Sequence, residues 1–404
     1  MANREVSDTR RTNFSVAGPA GVGMGALLQV GHDSKNLLPV PELSGFTGVV
    51  LNPVNYAPDG MMEITTGLRG RENFTVYFDP QLYNPQSERG RLREWGYFPD
   101  DVDTADQSND QWWAELCGAL VQNCEEVGAN IICSPVVAPN AFTDDYYLRM
   151  VEVHEILAGM ARRTGTTAQT AFVSLSDLST PSRALAIATI ISKTSSPVVY
   201  LILSGDQDPR RELDRVDELK GSMRLIRALE GAGLRVLVAF SSSDVLLWKM
   251  AGASDCATGK FFNLRRYTRG RFEEPSQGGG QLPYWIEEAL IAFLRESDLR
   301  RLLQVGGVLS QASLENPFGQ QIIRLLTDSP GSAWLGLSWR QYLYWFIDVE
   351  RRVSSGELDV AGLLRTVERT WRQLDDADVL MEELRNDGTW IRAWRRALVE
   401  YQTF

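Results

Sequence analysis

The chain has 404 residues, a formal net charge of −11, a hydrophobic fraction of 44% and a charged fraction of 23%. That composition fits a soluble globular protein holding one large α/β domain with an appendage, or two domains. The acidic balance disfavours a role gripping nucleic acid, which calls for a basic surface. No apolar run reaches the roughly 18 residues of a membrane span. The start, MANREVSDTRR, carries charge with no apolar segment behind it, so a cytoplasmic location is expected. Four cysteines (Cys117, Cys124, Cys133, Cys256) form no CxxC pair and the histidines are only His32 and His154, so no metal or other cofactor is expected.

In chain order, the glycine-rich Ala17–Gly25 has no following Lys-Ser/Thr and reads as a hairpin lidding a barrel bottom, not a phosphate loop. Short, continuously apolar runs then predict buried parallel strands at Gly48–Asn52, Phe74–Phe78, Asn130–Cys133, Ala171–Leu175, Pro197–Leu203, Arg235–Phe240 and Ser254–Phe261. Pro99–Asp110 holds five aspartates and reads as a solvated loop capping a helix over Gln111–Val127. A second helix is expected over Glu218–Ala232 and a short one over Asp244–Met250. This alternation predicts an α/β (β/α)8 TIM barrel with an N-terminal hairpin and a C-terminal helical extension.

Polar residues follow the predicted strands: Asn52, Asn55, Asp79, Ser134, Ser176, Asp177, Ser204, Asp206, Ser241 and Asp255. On a barrel such positions gather at one face, where barrel enzymes build their sites. From the end of the last barrel strand onward, Lys260, Arg265, Arg266, Arg269 and Arg271 are interleaved with Phe261, Phe262, Tyr267 and Phe272. The SQGGGQ stretch at Ser276–Gln281 marks a boundary between a barrel of residues 1–275 and a Trp-rich helical region of residues 276–404. In that region helical spacing is read over Trp285–Glu296, Trp339–Val353, Val360–Leu374 and Val379–Tyr401. Its tryptophans are expected mostly between helices, with some joining arginines on a partner-binding surface.

Four segments resemble tRNA-guanine transglycosylases in the right order: Thr12–Gly31, Pro41–Tyr56, Asn73–Tyr83 (NFTVYFDPQLY, similar to a strand ending in TDSGGFQ) and Ser241–Arg266 (similar to a GxDxFDxxxPTRxAR motif). That family replaces a guanine in nucleic acid by a 7-deazaguanine base, one strand-end aspartate acting as nucleophile and another as acid/base. The resemblance implies Asp79 and Asp255 as the catalytic pair. It implies Asn52, Ser134, Ser176, Ser204 and Gly205 around the base. Lys260, Arg265, Arg266 and Arg269 would contact phosphate or a partner. The family nucleophile's place falls on Ala257, with Asp255 two residues earlier on the same strand face, and the family's zinc-binding cluster is absent.

Three functions follow as expectations. The first is a diverged barrel that recognises a 7-deazaguanine-type base, or a protein carrying one, in bacterial antiviral defence of the CBASS type, with a nucleotidyltransferase-type partner. The second is an active transglycosylase on tRNA or DNA. The third is an unrelated barrel enzyme acting on a small metabolite.

Overall fold

The computed structural model describes residues 25–103, 106–162, 165–272, 281–383 and 386–402. The glycine-rich segment before Gly25 and the stretch 276–280 lie outside the described residues, so neither the expected hairpin nor the expected boundary is described.

Eight strands close into a parallel barrel in sequence order. They are β1 (Ala26–Gln29), β2 (Gly48–Leu51), β3 (Thr75–Phe78), β4 (Ile131–Cys133), β5 (Thr166–Ser174), β6 (Val198–Ser204), β7 (Arg235–Val238) and β8 (Asp255–Thr258). Their apolar runs are buried on both faces, as a parallel sheet wrapped by helices requires. Between the strands run α1 (Pro58–Leu68), α2 (Asp110–Val127), α3 (Asp144–Ala161), α4 (Pro181–Ile191), α5 (Val216–Gly231) and α6 (Val245–Met250). Asn109 caps α2, its side chain accepting from the Gln111 amide, and Gly128 ends it in the left-handed region. β1 and β2 are joined by short 3-10 turns at Ser34–Leu37 and Pro41–Leu43 instead of an α-helix.

The parallel register sorts the inner face. Leu27 pairs with Gly48 and Ala257, Val50 with Tyr77, and Leu237 with both Tyr200 and Asp255. With the alternation of side chains along a strand, Gln29, Asn52, Tyr77, Asp79, Tyr200, Arg235 and Asp255 all fall on the inside.

The segment Trp285–Glu296, expected as a helix, is instead an antiparallel pair, β9 (Trp285–Glu287) and β10 (Ala292–Leu294), turning through Ile291 at φ 48°. Because almost every residue of it is buried, apolar spacing could not separate the two forms. The Glu287 carboxylate fixes the hairpin, accepting from the Trp285 indole (3.1 Å) and from the amides of Ala289 (2.9 Å) and Ser310 (2.8 Å). There follow α7 (Glu296–Val305), α8 (Gln311–Glu315), α9 (Pro317–Asp328), α10 (Leu335–Ser354), α11 (Val360–Asp376) and α12 (Thr389–Gln402). The helix expected from Val379 begins only at Thr389. Gly388 precedes it at φ 70°, and a Cβ there would lie 2.5 Å from the Trp371 ring.

The helix α10 packs on β1, β8 and α6, which is the place of the barrel's eighth helix. Its Tyr342 hydroxyl meets Thr258 Oγ1 (2.6 Å) at one end of β8. Toward the other end Glu350 Oε1 pairs with Lys249 Nζ (2.8 Å), both side chains 7% exposed. The C-terminal region therefore completes the barrel wall as well as extending it. The helix α12 lies on α5, and its Trp394 indole donates to the Leu213 carbonyl (2.6 Å). Trp285, Trp334, Trp345, Trp371, Trp390 and Trp394 are buried.

Candidate functional site at the C-terminal mouth of the barrel

The two aspartates of the expected pair sit at opposite mouths. Asp79 directly follows β3, at the C-terminal mouth, whereas Asp255 is the first residue of β8, at the N-terminal mouth. Asp255 faces Arg235, the first residue of β7. Arg235 Nε donates to Oδ2 (2.6 Å), Nη2 donates to Oδ1 (2.8 Å), and the Gly25 amide also donates to Oδ1 (2.9 Å). Burial pushes the Asp255 carboxyl up and Arg235 opposes that shift. The expectation that Asp255 stands at a strand end beside Asp79 is thus corrected: it closes the barrel floor. The strand expected over Ser254–Phe261 already put Asp255 near its start, but the motif resemblance assigned the residue to the catalytic strand end.

Asp79 is buried within a polar lattice. Its Oδ1 accepts from the Gln81 amide (3.0 Å) and the Tyr83 hydroxyl (2.8 Å), and its Oδ2 from the Tyr200 hydroxyl (3.1 Å). Tyr200 in turn receives Gln29 Nε2 (3.5 Å), and Gln29 Oε1 accepts the Phe240 amide (2.8 Å). Gln81 and Phe240 both hold φ of 54°, so the lattice sustains two left-handed non-glycine residues at the strand ends. Burial raises the Asp79 carboxyl to about 6, against the pull of Tyr83, Gln81, Tyr200 and Arg271.

Of the remaining expected base contacts, Asn52 and Ser134 are buried and engaged within the protein, Ser204 is half-buried, and Ser176 and Gly205 are exposed. Asn52 donates to the Val30 carbonyl (2.9 Å) and accepts from Gln81 Nε2 (2.8 Å). Ser134 ties β4 to β5 through the Thr170 amide (2.9 Å) and hydroxyl (2.6 Å). Ser176 meets the Ser174 hydroxyl (2.9 Å) beside a shallow recess holding Asp177 and Arg183. The carbonyl of Ser204 accepts the Leu175 amide (2.8 Å), and Gly205 leaves room for Leu175, whose Cδ1 would stand 2.9 Å from a Cβ there. The structure does not bring these five residues together around one ligand.

What it does bring together is a pocket of about 950 Å³ over the C-terminal mouth. The loop after β8 forms its wall. Leu264 of that loop seals against the ends of β1 and β8: a Cβ on Gly31 would lie 2.4 Å from its side chain, and one on Gly259 2.5 Å. Phe261, Phe262, Tyr284 and Trp339 supply aromatic lining, and Arg89, Arg91, Arg210, Lys260, Arg265 and Arg271 supply positive charge, against Glu88 as the acidic side chain in the lining.

These cations differ in how far they are engaged. Lys260 Nζ rests 4.2 Å from the Trp339 ring centroid and 4.8 Å from that of Phe261, and burial holds its ammonium below the ordinary lysine range. Arg265 is spent on the carbonyls of Gly259 (3.0 Å) and Lys260 (2.8 Å), and its guanidinium lies 3.4 Å over the Tyr342 ring. Arg271, 7% exposed, gives Nη1 to Asn263 Oδ1 (3.1 Å), while its Nε and Nη2 have no hydrogen-bond partner among the described residues. Two of the expected phosphate contacts lie outside the pocket lining. Arg269 is exposed and donates to the Pro139 carbonyl (3.3 Å). Arg266 is buried against Asp244 (3.4 Å) and Glu212 (3.8 Å).

That last group was not anticipated. Loops after β6, β7 and β8 bring Glu212, Asp244 and Arg266 together, with Glu212 Oε2 and Arg266 Nε lacking hydrogen-bond partners among the described residues. Burial lifts Glu212 to about 7, opposed by Arg266. No sequence spacing links residues 212, 244 and 266. Tyr200 carried a fainter signal, as a hydroxyl-tipped residue within the apolar PVVYLIL strand.

Among the described residues, no group of three or more His, Cys, Asp or Glu side chains is placed to hold a metal ion, and no helix is long and apolar enough to cross a membrane. The four cysteines are free and buried.

The class of protein so defined is a closed (β/α)8 barrel with an aromatic, cationic pocket at its C-terminal mouth. No protein-family model matches the chain, and no curated protein does. Among solved structures, an L-ribulose 3-epimerase aligns over 88% of this chain and 98% of its own, at 10% identity and a TM-score of 0.34. A tryptophan synthase α2β2 complex structure from Pyrococcus furiosus aligns over 59% of this chain and 88% of its own, at 14% identity and a TM-score of 0.33. A fusion of a xylose isomerase-like TIM barrel with 4-hydroxyphenylpyruvate dioxygenase aligns over 77% of this chain and 45% of its own, at 12% identity and a TM-score of 0.35. Such values carry nothing about activity.

Proposed function

We propose that this barrel binds a small ligand combining a flat ring system with an anionic group, in the pocket at the C-terminal mouth. One observation carries the reading: a 950 Å³ pocket whose lining joins Phe261, Phe262, Tyr284 and Trp339 to six basic side chains and one acidic one. Pockets of this size take small molecules and cofactors. Aromatic surface favours a planar heterocycle, and the positive excess favours an anion. The sequence resemblance points to a 7-deazaguanine-type base as the ring of such a ligand, with the anionic group a substituent or phosphate attached to it. The base-exchange reaction is not part of the proposal, because it requires two carboxylates facing one glycosidic carbon and Asp255 lies at the other mouth.

A thermal-shift panel tests the reading with guanine, 7-deazaguanine bases, purine nucleoside monophosphates and ring-free sugar phosphates. Saturating nucleotides or deazaguanine bases are expected to raise Tm by several degrees, more than ring-free sugar phosphates do. No shift with any ring-bearing ligand, or the largest shift with sugar phosphates, would overturn it.

A further inference from the structure

The Arg271 guanidinium offers an unused edge. It sits in the 3-10 turn Arg269–Phe272 after β8, lines the pocket and is 7% exposed. Nη1 is anchored on Asn263 Oδ1 at 3.1 Å, which fixes the plane of the group. The two nitrogens left over, Nε and Nη2, present N–H groups along one edge of that plane, and neither meets an acceptor among the described residues. This edge matches the spacing of two oxygens on a carboxylate or phosphate. Buried charged donors left unmatched are costly, so an acceptor that meets both nitrogens would be held strongly.

Asp79 is not that acceptor. The aspartate interacts electrostatically with Arg271, but no ion pair joins them, and the Asp79 oxygens already accept from Gln81, Tyr83 and Tyr200. It supplies a compensating field, not an acceptor. Lys260, on the same pocket, is held by two ring faces and makes no hydrogen bond through Nζ among the described residues.

We infer that the Nε/Nη2 edge of Arg271 is the seat of the ligand's anionic group, and that this group is a phosphate monoester. A carboxylate would use both of its oxygens on Arg271. A phosphate monoester keeps a third terminal oxygen and a second negative charge for the other cations of the pocket. The inference rests on the ligand reading proposed above and adds which group is anchored and by which atoms.

Calorimetric titration of the full chain with guanosine and guanosine 5′-monophosphate tests it, using the wild type, Arg271→Lys, and Arg269→Gln as an exposed control. The wild type is expected to prefer the monophosphate at least tenfold. Arg271→Lys keeps the charge but loses the fork, and is expected to remove most of that preference while guanosine still binds. Arg269→Gln should change neither. If Arg271→Lys does not fold, Asn263→Ala decides the matter: freeing the anchor is expected to cut the preference several-fold at an unchanged Tm. A preference that survives the Arg271 change, or survives Asn263→Ala where that variant decides, overturns the inference and leaves the pocket reading standing. Failure of the wild type to bind either compound overturns the inference, and the pocket reading then stands or falls on the other ring-bearing ligands of the thermal-shift panel.

Discussion

Arg235 and Asp255 close a bidentate ion pair at the N-terminal mouth, with Nε to Oδ2 at 2.6 Å and Nη2 to Oδ1 at 2.8 Å. They are the first residues of neighbouring strands, and their side chains are 6% and 0% exposed. Removing one partner of such a buried pair leaves the other charge uncompensated, at about 3–5 kcal/mol. Asp255→Ala is therefore expected to lower unfolding free energy by that amount in urea titrations while ligand affinity at the opposite mouth stays within twofold. A variant that keeps its stability but loses binding would return Asp255 to the site.

The Glu212 carboxyl gives a pH signature. Its folded-state value of about 7 lies above the ordinary 4.5, so the fold favours the neutral form. Its contribution to stability is complete below pH 4.5 and is lost as pH rises toward 7, amounting to a change on the order of 3 kcal/mol. The surroundings are Arg266, Asp244, Ser243 and Arg265. Glu212→Gln is expected to flatten this window, gaining on the wild type at pH 8 relative to pH 5. Equal pH dependence in the two proteins would contradict the assignment.

The helix α10 closes the wall between β8 and β1 and is locked there by Lys249 and Glu350 at 2.8 Å. Glu350→Ala leaves a buried ammonium unpaired, again at about 3–5 kcal/mol. Hydrogen exchange is expected to speed up first in β1 and β8, whereas uniform loss of protection across the barrel would argue against α10 as its eighth helix.

Leu264 seats the pocket loop on Gly31 and Gly259. Leu264→Ala is expected to cost about 2–5 kcal/mol and to weaken ligand binding at least tenfold by freeing the loop that carries Lys260 and Arg271. Unchanged affinity in the folded variant would separate that loop from recognition.

Much of the barrel was legible because buried parallel strands read as short apolar runs, and GVVLN, FTVYF and PVVYLIL have little else to be. Asp79 was legible as a polar residue ending such a run. Asp255 was misplaced: the strand expected over Ser254–Phe261 already put it near the start, yet the motif resemblance grouped it with the residues that follow strands. The register with β7 decides it, and the charged Arg235 starting that strand was the available hint. WIEEALIAFLRE hid its hairpin because burial on both faces removes the contrast on which periodicity depends. The pocket was half legible. Lys260 and Arg271 stood in a visible basic-aromatic run, but Arg89, Arg210, Tyr284 and Trp339 come from distant loops and a helix. Only the closed barrel and the placement of α10 bring them together.

The central claim is that recognition occurs at the C-terminal mouth, between the aromatic wall and Arg271. It is tested most directly by a crystal structure of the full chain with the tightest-binding member of the thermal-shift panel. The account predicts ligand density in the 950 Å³ pocket, with the ring system against the aromatic wall that includes Phe261 and Trp339, and the anionic group on the Nε/Nη2 edge of Arg271. Density in another recess, such as that beside Ser176 and Arg183, with the mouth pocket holding only solvent, would contradict it.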